Sequence, residues 1–167
     1  MIISIIVAVS ENNVIGKNNT LIWHLPTDMK FFMTKTTGHC VITGRKNYDS
    51  IPVKFSPLPN RTNIVVTHQK DYSAPGAIVV GSIEDAITFA KTIEREEIFV
   101  IGGAQIYKKS LHLCNKIYLT RIHHTFDGDA FFPVLNMNEW KETERVKGIV
   151  DDKNIYAHDF ITYERIT

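Results

Sequence analysis

Three runs of this chain are almost continuous in β-branched and aromatic apolar residues: Ile2 to Val7, interrupted only by Ser4; Ile64-Val65-Val66; and Ile98-Phe99-Val100-Ile101. A strand with one wet face alternates apolar and polar residues, so runs like these belong to strands covered on both faces, as in a largely parallel sheet. Further strand candidates are 39–43, 77–80 and 116–123, with the first run extending over 2–9, the second over 62–67 and the third over 97–101. Helix-like stretches at 26–37, 45–50, 83–94 and 104–113 lie between them, which is the α/β signature. A late pair, 140–147 and 155–164, is joined by a loop holding Gly148 and Asp151-Asp152 and reads as an antiparallel hairpin.

The helix boundaries carry their own signals. Pro26 suits a first helical position and Gly38 a left-handed cap. Ser82 followed by Asp85 reads as an N-cap pair. Two segments have no period: Glu11 to Leu25, rich in Asn, and Pro52 to Arg61, with three prolines. Long ordered loops in a compact domain are usually functional.

A chain of 167 residues with 44% hydrophobic and 22% charged residues suits one domain spanning 1–167 with a core of its own, and excludes disorder and coiled coil. Its net charge of +1, with no stripe of basic residues and aromatics, gives no support to a nucleic-acid or membrane partner. The first apolar run has no basic region before it and no small-residue cleavage site, so it is a strand and not a signal peptide. Cys40 and Cys114 sit in apolar runs without CxxC spacing and read as buried free thiols. The expected location is the cytoplasm. A monomer is expected too, because no apolar surface stripe calls for a partner.

Three constellations could carry chemistry. At Val100-Ile101-Gly102-Gly103-Ala104-Gln105 a strand runs through paired glycines into a helix, where exposed amides could hold a phosphate; an ordinary glycine turn remains the alternative. At Gly44-Arg45-Lys46-Asn47 two cations stand in a first helical turn, against the helix dipole, a conflict that a bound anion would relieve unless both are simply solvated. In Trp23-His24-Leu25-Pro26-Thr27-Asp28, Asp28 could cap the helix. It also shares a face with Phe32, beside Met29 and Met33, and an acid on the rim of an apolar face suits a raised-pKa carboxyl or a receptor for a cationic heterocycle. The histidines lack metal-ligand spacing, and no Gly-x-Ser-x-Gly elbow offers a nucleophile.

Taken in order, these motifs resemble the bacterial-type dihydrofolate reductases over essentially the whole chain. The resemblance rests on Ile6 and Ala8; Val14-Ile15-Gly16; Leu25-Pro26-x-Asp28; Gly44-Arg45-Lys46-Asn47; Ser50-Ile51; Pro57-Leu58-Pro59-Asn60-Arg61-x-Asn63; Val100-Ile101-Gly102-Gly103-x-x-Ile106-Tyr107; Tyr118-Leu119-Thr120; and Gly128-Asp129-x-x-Phe132-Pro133. It implies an eight-stranded, mostly parallel sheet with an antiparallel C-terminal strand and about four helices. It also implies NADPH-dependent reduction of 7,8-dihydrofolate to 5,6,7,8-tetrahydrofolate, serving one-carbon and thymidylate metabolism, with hydride to pterin C6, a proton to N5, and antifolates as inhibitors.

By the same resemblance, Asp28 orients the pterin and stabilises its positive charge, Thr120 holds Asp28, and Trp23 helps fix a water. Met29, Phe32 and Leu58 flank the substrate rings, the carbonyls of Ile6 and Ile101 face the pterin, and Arg61 clamps the glutamate α-carboxylate. The cofactor falls to Ala8, Ile15, Gly16, Thr20 and Leu21 around the nicotinamide. Gly44, Arg45, Lys46, Asn47, Gly102, Gly103, Ala104, Gln105, Ile106 and Tyr107 surround its phosphates, with Thr67 and His68 at the adenosine end. Gly128-Asp129 steadies the 14–21 loop.

The chain departs from the family pattern at Ile22, where proline is common; at Pro52, which replaces a glycine ahead of about three extra residues; and at Gln105, where some relatives carry arginine. Two other readings stay open: a riboflavin-pathway pyrimidine reductase on the same fold, and a non-catalytic nucleotide- or folate-binding protein.

Overall fold

The computed structural model describes residues 1–167. In chain order the elements are β1 (Ile2–Ser10), β2 (Val14–Gly16), α1 (Pro26–Thr36), β3 (Cys40–Gly44), α2 (Arg45–Asp49), β4 (Thr62–Val66), β5 (Ile78–Val80), α3 (Ile83–Ile93), β6 (Glu97–Gly102), α4 (Ala104–Ser110), β7 (Lys116–Ile122), β8 (Ala130–Phe131), β9 (Trp140–Lys147) and β10 (His158–Arg165). Eight strands form one sheet in the order β5-β4-β3-β6-β1-β7-β10-β9. The pairs from β5 through β7 are parallel, and β10 runs antiparallel to both β7 and β9.

The apolar runs are buried on both faces, and β1 shows how the two faces divide. Its odd residues Ile3, Ile5, Val7 and Val9 join a core with Ile83, Ala86, Ile87 and Ala90 of α3 and Ile106 and Tyr107 of α4. Its even residue Ile6 packs with Val41, Phe99 and Tyr118, under Phe31 and Phe32 of α1. The alternation of side chains along a strand thus assigns α1 to one face and α3 and α4 to the other.

The helix signals hold where they are local. Pro26 opens α1, Ser82 Oγ accepts from the Asp85 N–H at 3.0 Å, and Gly38 has φ +88° just beyond α1. Most element ends shift by one residue, and three segments differ by more. The 104–113 helix stops at Ser110 and tightens into a 3₁₀ turn over Leu111–Leu113, whose Leu111 carbonyl accepts from Arg165 at 2.6 Å. β10 begins at His158 and not at 155, because Asn154 is turned inward and the chain bends before the strand starts. The 11–25 segment is not wholly irregular: Val14–Gly16 pairs with Ala130–Phe131 in a separate two-stranded ribbon. Strands of two and three residues have no measurable period, so sequence pattern misses them.

Candidate active site

The cleft opens at the carboxyl ends of the parallel strands, where open α/β sheets bind their ligands. It measures about 1360 Å³ and is lined from β1 (Ile6, Val7, Ala8), the 15–21 loop, α1, both glycine junctions and the proline segment. Of the expected site residues, all but Trp23, Gly102 and Thr120 line it. Those three stand directly behind the wall. Trp23 is 4% exposed and Thr120 2% exposed.

Asp28 sits in the first turn of α1, among the cleft-lining side chains of Met29, Phe32 and Met33. Met29 and Met33 are about half exposed, at 49% and 54%, and both line the cleft. Thr120 reaches across from β7 and donates its hydroxyl to Asp28 Oδ1 at 2.6 Å. Burial pushes the Asp28 carboxyl above the ordinary carboxylate range, while the Thr120 hydrogen bond and the nearby His158 pull it down. Burial is the largest of the three effects.

Behind Asp28, the Tyr107 hydroxyl donates to the Ile6 carbonyl at 2.8 Å. That carbonyl keeps a second lone pair for a ligand. Tyr107, expected beside the cofactor, therefore also supports the carbonyl of Ile6, which was expected to face the substrate. The indole Nε1 of Trp23 is buried with no hydrogen-bond partner in the protein, and its ring lies 5.2 Å from Phe126.

The far wall is the proline segment. Asn63, 2% exposed, receives the Leu58 N–H and donates back to the Leu58 carbonyl, both at 2.9 Å, which fixes Leu58 against the cleft. Arg61 is spread along the rim: Nε donates to Pro59 O at 2.9 Å, Nη1 to Thr36 Oγ1 at 3.2 Å, and the guanidinium lies 5.9 Å from the Phe32 ring centre. Its remaining N–H groups are left for an anion. The segment also contains a short 3₁₀ turn at Val53–Phe55, which brings Phe55 to the cleft, a residue the sequence reading did not assign.

The two glycine junctions lie side by side because β3 and β6 are neighbours. Asn47 Nδ2 donates to Thr43 Oγ1 at 2.9 Å, and Thr43 Oγ1 donates to Gly102 O at 3.0 Å, tying them together. Gly102 has φ +111°, and a Cβ there would lie 3.0 Å from the Tyr107 ring. At Gly44 a Cβ would lie 2.9 Å from Ile106 Cγ1. The electrostatic conflict read at Arg45 is partly met inside the helix: Arg45 Nη1 pairs with Asp49 Oδ2 at 3.2 Å. Thr67, His68 and Gln69 follow β4 onto the same wall.

The 14–21 loop is pinned from the 127–129 turn. Lys17 pairs with Asp127 at 2.6 Å, the Asn18 N–H donates to Asp129 Oδ2 at 3.0 Å, and the Asp129 N–H donates to Gly16 O at 3.1 Å. A Cβ on Gly128 would stand 2.3 Å from Val14 Cγ1 and 2.7 Å from Gly16 O, so the two segments meet only because that side chain is missing. Asn18, Asn19 and Asp129 line the cleft although the sequence pointed to none of them as ligand contacts. Their signal was local: the Asn residues adopt φ +51° and +61°, which asparagine tolerates better than most residues.

Residues 2–165 match the family model described as Dihydrofolate reductase. The chain is 44% identical over 163 residues to dihydrofolate reductase of Bacillus subtilis, covering 98% of this chain and 94% of that protein. It is 43% identical to the enzyme of Staphylococcus haemolyticus, over 98% of this chain and 96% of that one. Among solved structures, dihydrofolate reductase from Enterococcus faecalis, complexed with NADP(H) and the compound RAB-propyl, superposes with a TM-score of 0.92 at 40% identity, covering 99% of this chain and 97% of that chain.

Proposed function

Because the chain belongs to the dihydrofolate reductase family, we propose that it catalyses the NADPH-dependent reduction of 7,8-dihydrofolate to 5,6,7,8-tetrahydrofolate. The observation that carries this reading is the Asp28 carboxyl, held by Thr120 in the apolar wall of a cleft whose other end is built from two glycine junctions. The cleft's volume exceeds the roughly 300–1000 Å³ of a site for one small ligand, which suits substrate and cofactor side by side. Gly44 and Gly102 make room for Ile106 and the Tyr107 ring, so that α4 packs closely on both junctions, while a side chain on Gly103 would meet no protein atom within 4 Å.

NADPH supplies the hydride for pterin C6. The residues that hold its phosphates are Gly103, Ala104 and Gln105 on one junction and Arg45, Lys46 and Asn47 on the other, with Thr67 and His68 toward the adenosine. Ala8, Ile15, Gly16, Thr20 and Leu21 close over the nicotinamide and exclude water.

Asp28 accepts hydrogen bonds from the pterin ring N–H and 2-amino group. Its negative charge in a low-dielectric pocket stabilises the positive charge that builds on the pterin as N5 takes a proton. Thr120 keeps the carboxylate in that place. The free indole N–H of Trp23 orients a water beside the ring. Ile6 and Ile101 offer carbonyls to the exocyclic groups, Met29, Phe32 and Leu58 enclose the rings, and Arg61 takes the glutamate carboxylate. We place the protein in the cytoplasm, a reading supported by two buried free thiols, and take it to act as a monomer.

The test is the loss of NADPH absorbance with purified protein. Loss that requires dihydrofolate is the expected result. No loss, or loss that requires a ribosylated pyrimidine instead, overturns the proposal.

A further inference from the structure

A second set of buried polar groups surrounds the turn that carries Asp28, and the mechanism above uses none of them. His158, the first residue of β10, is 1% exposed. Its Nδ1 lies 2.8 Å from the Tyr156 carbonyl and its Nε2 3.1 Å from Thr27 Oγ1. A carbonyl only accepts, so Nδ1 carries a hydrogen and Nε2 faces Thr27. Asn154, 3% exposed, presents Oδ1 to the Thr27 N–H at 3.0 Å and to Thr27 Oγ1 at 2.9 Å. Its Nδ2 donates to Asp151 Oδ1, which decides which end of the amide faces Thr27.

This arrangement does for α1 what its own sequence does not. Leu25 stands at the N-cap with no side-chain hydrogen bond, and Pro26 brings no N–H. The cap comes from Asn154, far along the chain, and Thr27 is thereby held at both of its polar atoms. Gly148 completes the seat. A Cβ there would lie 2.2 Å from His158 Nε2, so the hairpin omits a side chain where the imidazole stands. Thr120 and His158 come from the neighbouring strands β7 and β10, and they grip consecutive residues of the same helical turn.

We propose that His158, acting with Asn154 through Thr27, is a positioning residue for Asp28: it fixes the first turn of α1 and so the place of the carboxylate between Thr120 and the pterin. The proposal rests on the dihydrofolate reading of the cleft. The titratable groups facing the imidazole are Asp28 on α1 and, through Asn154, Asp151 on the loop. Asp159 and His123 pair with each other on the opposite face of β10.

The experiment uses His158→Asn, His158→Gln, Thr27→Val and the double variant Thr27→Val/His158→Asn. The amide of Gln reaches the place of Nε2, whereas that of Asn reaches only the place of Nδ1. Dihydrofolate dissociation constants come from tryptophan fluorescence of the cofactor-free protein, with kcat and KM measured alongside. His158→Asn and Thr27→Val are each expected to weaken dihydrofolate by roughly 3- to 10-fold, the worth of one neutral hydrogen bond. His158→Gln recovers most of that loss, and the double variant is no worse than either single one. Equal binding by the Asn and Gln variants at equal melting temperature, or additive losses in the double variant, overturns the proposal. If His158→Asn does not fold, unchanged binding by Thr27→Val overturns it. A wild-type protein that fails to bind or reduce dihydrofolate counts against the function of the cleft instead.

Discussion

Thr120 of β7 donates its hydroxyl to Asp28 of α1 at 2.6 Å, across 92 residues of sequence. Asp28 is the one carboxyl among the apolar residues Met29, Phe32 and Met33 of the cleft wall, and Thr120 is the side chain that holds it there. Burial raises that carboxyl, and the hydroxyl moderates the rise by favouring the charged form.

Replacing Asp28 with Asn keeps the shape and removes the charge. Turnover at pH 7 is expected to fall by about 10²-fold or more, equivalent to ~2.7 kcal/mol of transition-state stabilisation. Stability should move the other way. The folded carboxyl lies above its unfolded value, so its ionised form costs stability above the folded pKa, and that cost disappears as the pH falls through it. The Asn variant should therefore melt higher than wild type at pH 7, by a margin that shrinks in acid. Thermal unfolding across that range, beside steady-state kinetics, checks both signs, and wild-type turnover in the variant would remove Asp28 from its role.

Arg61 is anchored by Pro59 and Thr36 before any ligand arrives, so little ordering is needed when a carboxylate docks. Arg61→Ala should weaken dihydrofolate by roughly 1.5–3 kcal/mol and leave a pterin without the glutamate tail almost unaffected. Titration of both ligands separates this from a structural role, in which the two would weaken together.

The pairing of Arg45 with Asp49 leaves an oriented cation on the cleft wall, where the proposed function places the adenosine phosphate. Arg45→Ala is expected to lower the NADPH-to-NADH preference by roughly 10- to 150-fold, as for a contact of ~1.5–3 kcal/mol. The ratio of the two dissociation constants is the measurement. An unchanged ratio would put the 2′-phosphate elsewhere.

Gly128 lets the 127–129 turn touch the 14–21 loop, and a methyl group there meets Val14 and Gly16 backbone. Gly128→Ala should separate the two segments, raise the KM for NADPH several-fold, and quicken amide hydrogen exchange at Asn18 and Asp129, whose N–H groups form the latch. Unaltered exchange at both amides would show that the loop is held by other means.

Burial pushes the Cys40 thiol up to about 11 and the Cys114 thiol to about 12. Since the thiolate is the reacting form, neither should react with a disulfide reagent at pH 8 in the folded protein, and both should react in denaturant. One fast thiol in the native state would contradict this.

Much of the frame was legible because it is written in short-range pattern. The continuous runs at Ile2, Ile64 and Ile98 marked strands with no wet face, and Pro26 and Ser82 marked helix starts. Asp28 stood out for being an acid beside Phe32 and Met29, and Gly102-Gly103 for what paired glycines allow. Those are properties of neighbours in the chain. The roles expected by resemblance, such as those of Arg61 and Trp23, rest on motifs and not on the residues' own chemistry.

What the sequence by itself determined was the strand and helix order, the two buried faces, and the positions where backbone must come close or turn left-handed. Only the tertiary structure decided which distant groups meet. The caps and latches of the site are single hydrogen bonds between residues far apart in the chain: Thr120 to Asp28, Asn154 to Thr27, Asp129 to Asn18. The family resemblance anticipated the first and the last of these, but no periodicity announces such a bond, because each needs one donor and one acceptor brought together by sheet register and loop closure. The same holds for Gly128 and Gly148, whose missing side chains make sense only beside Val14 and His158. Local preference acts over a few residues, whereas these contacts exist only once the eight strands have taken their order.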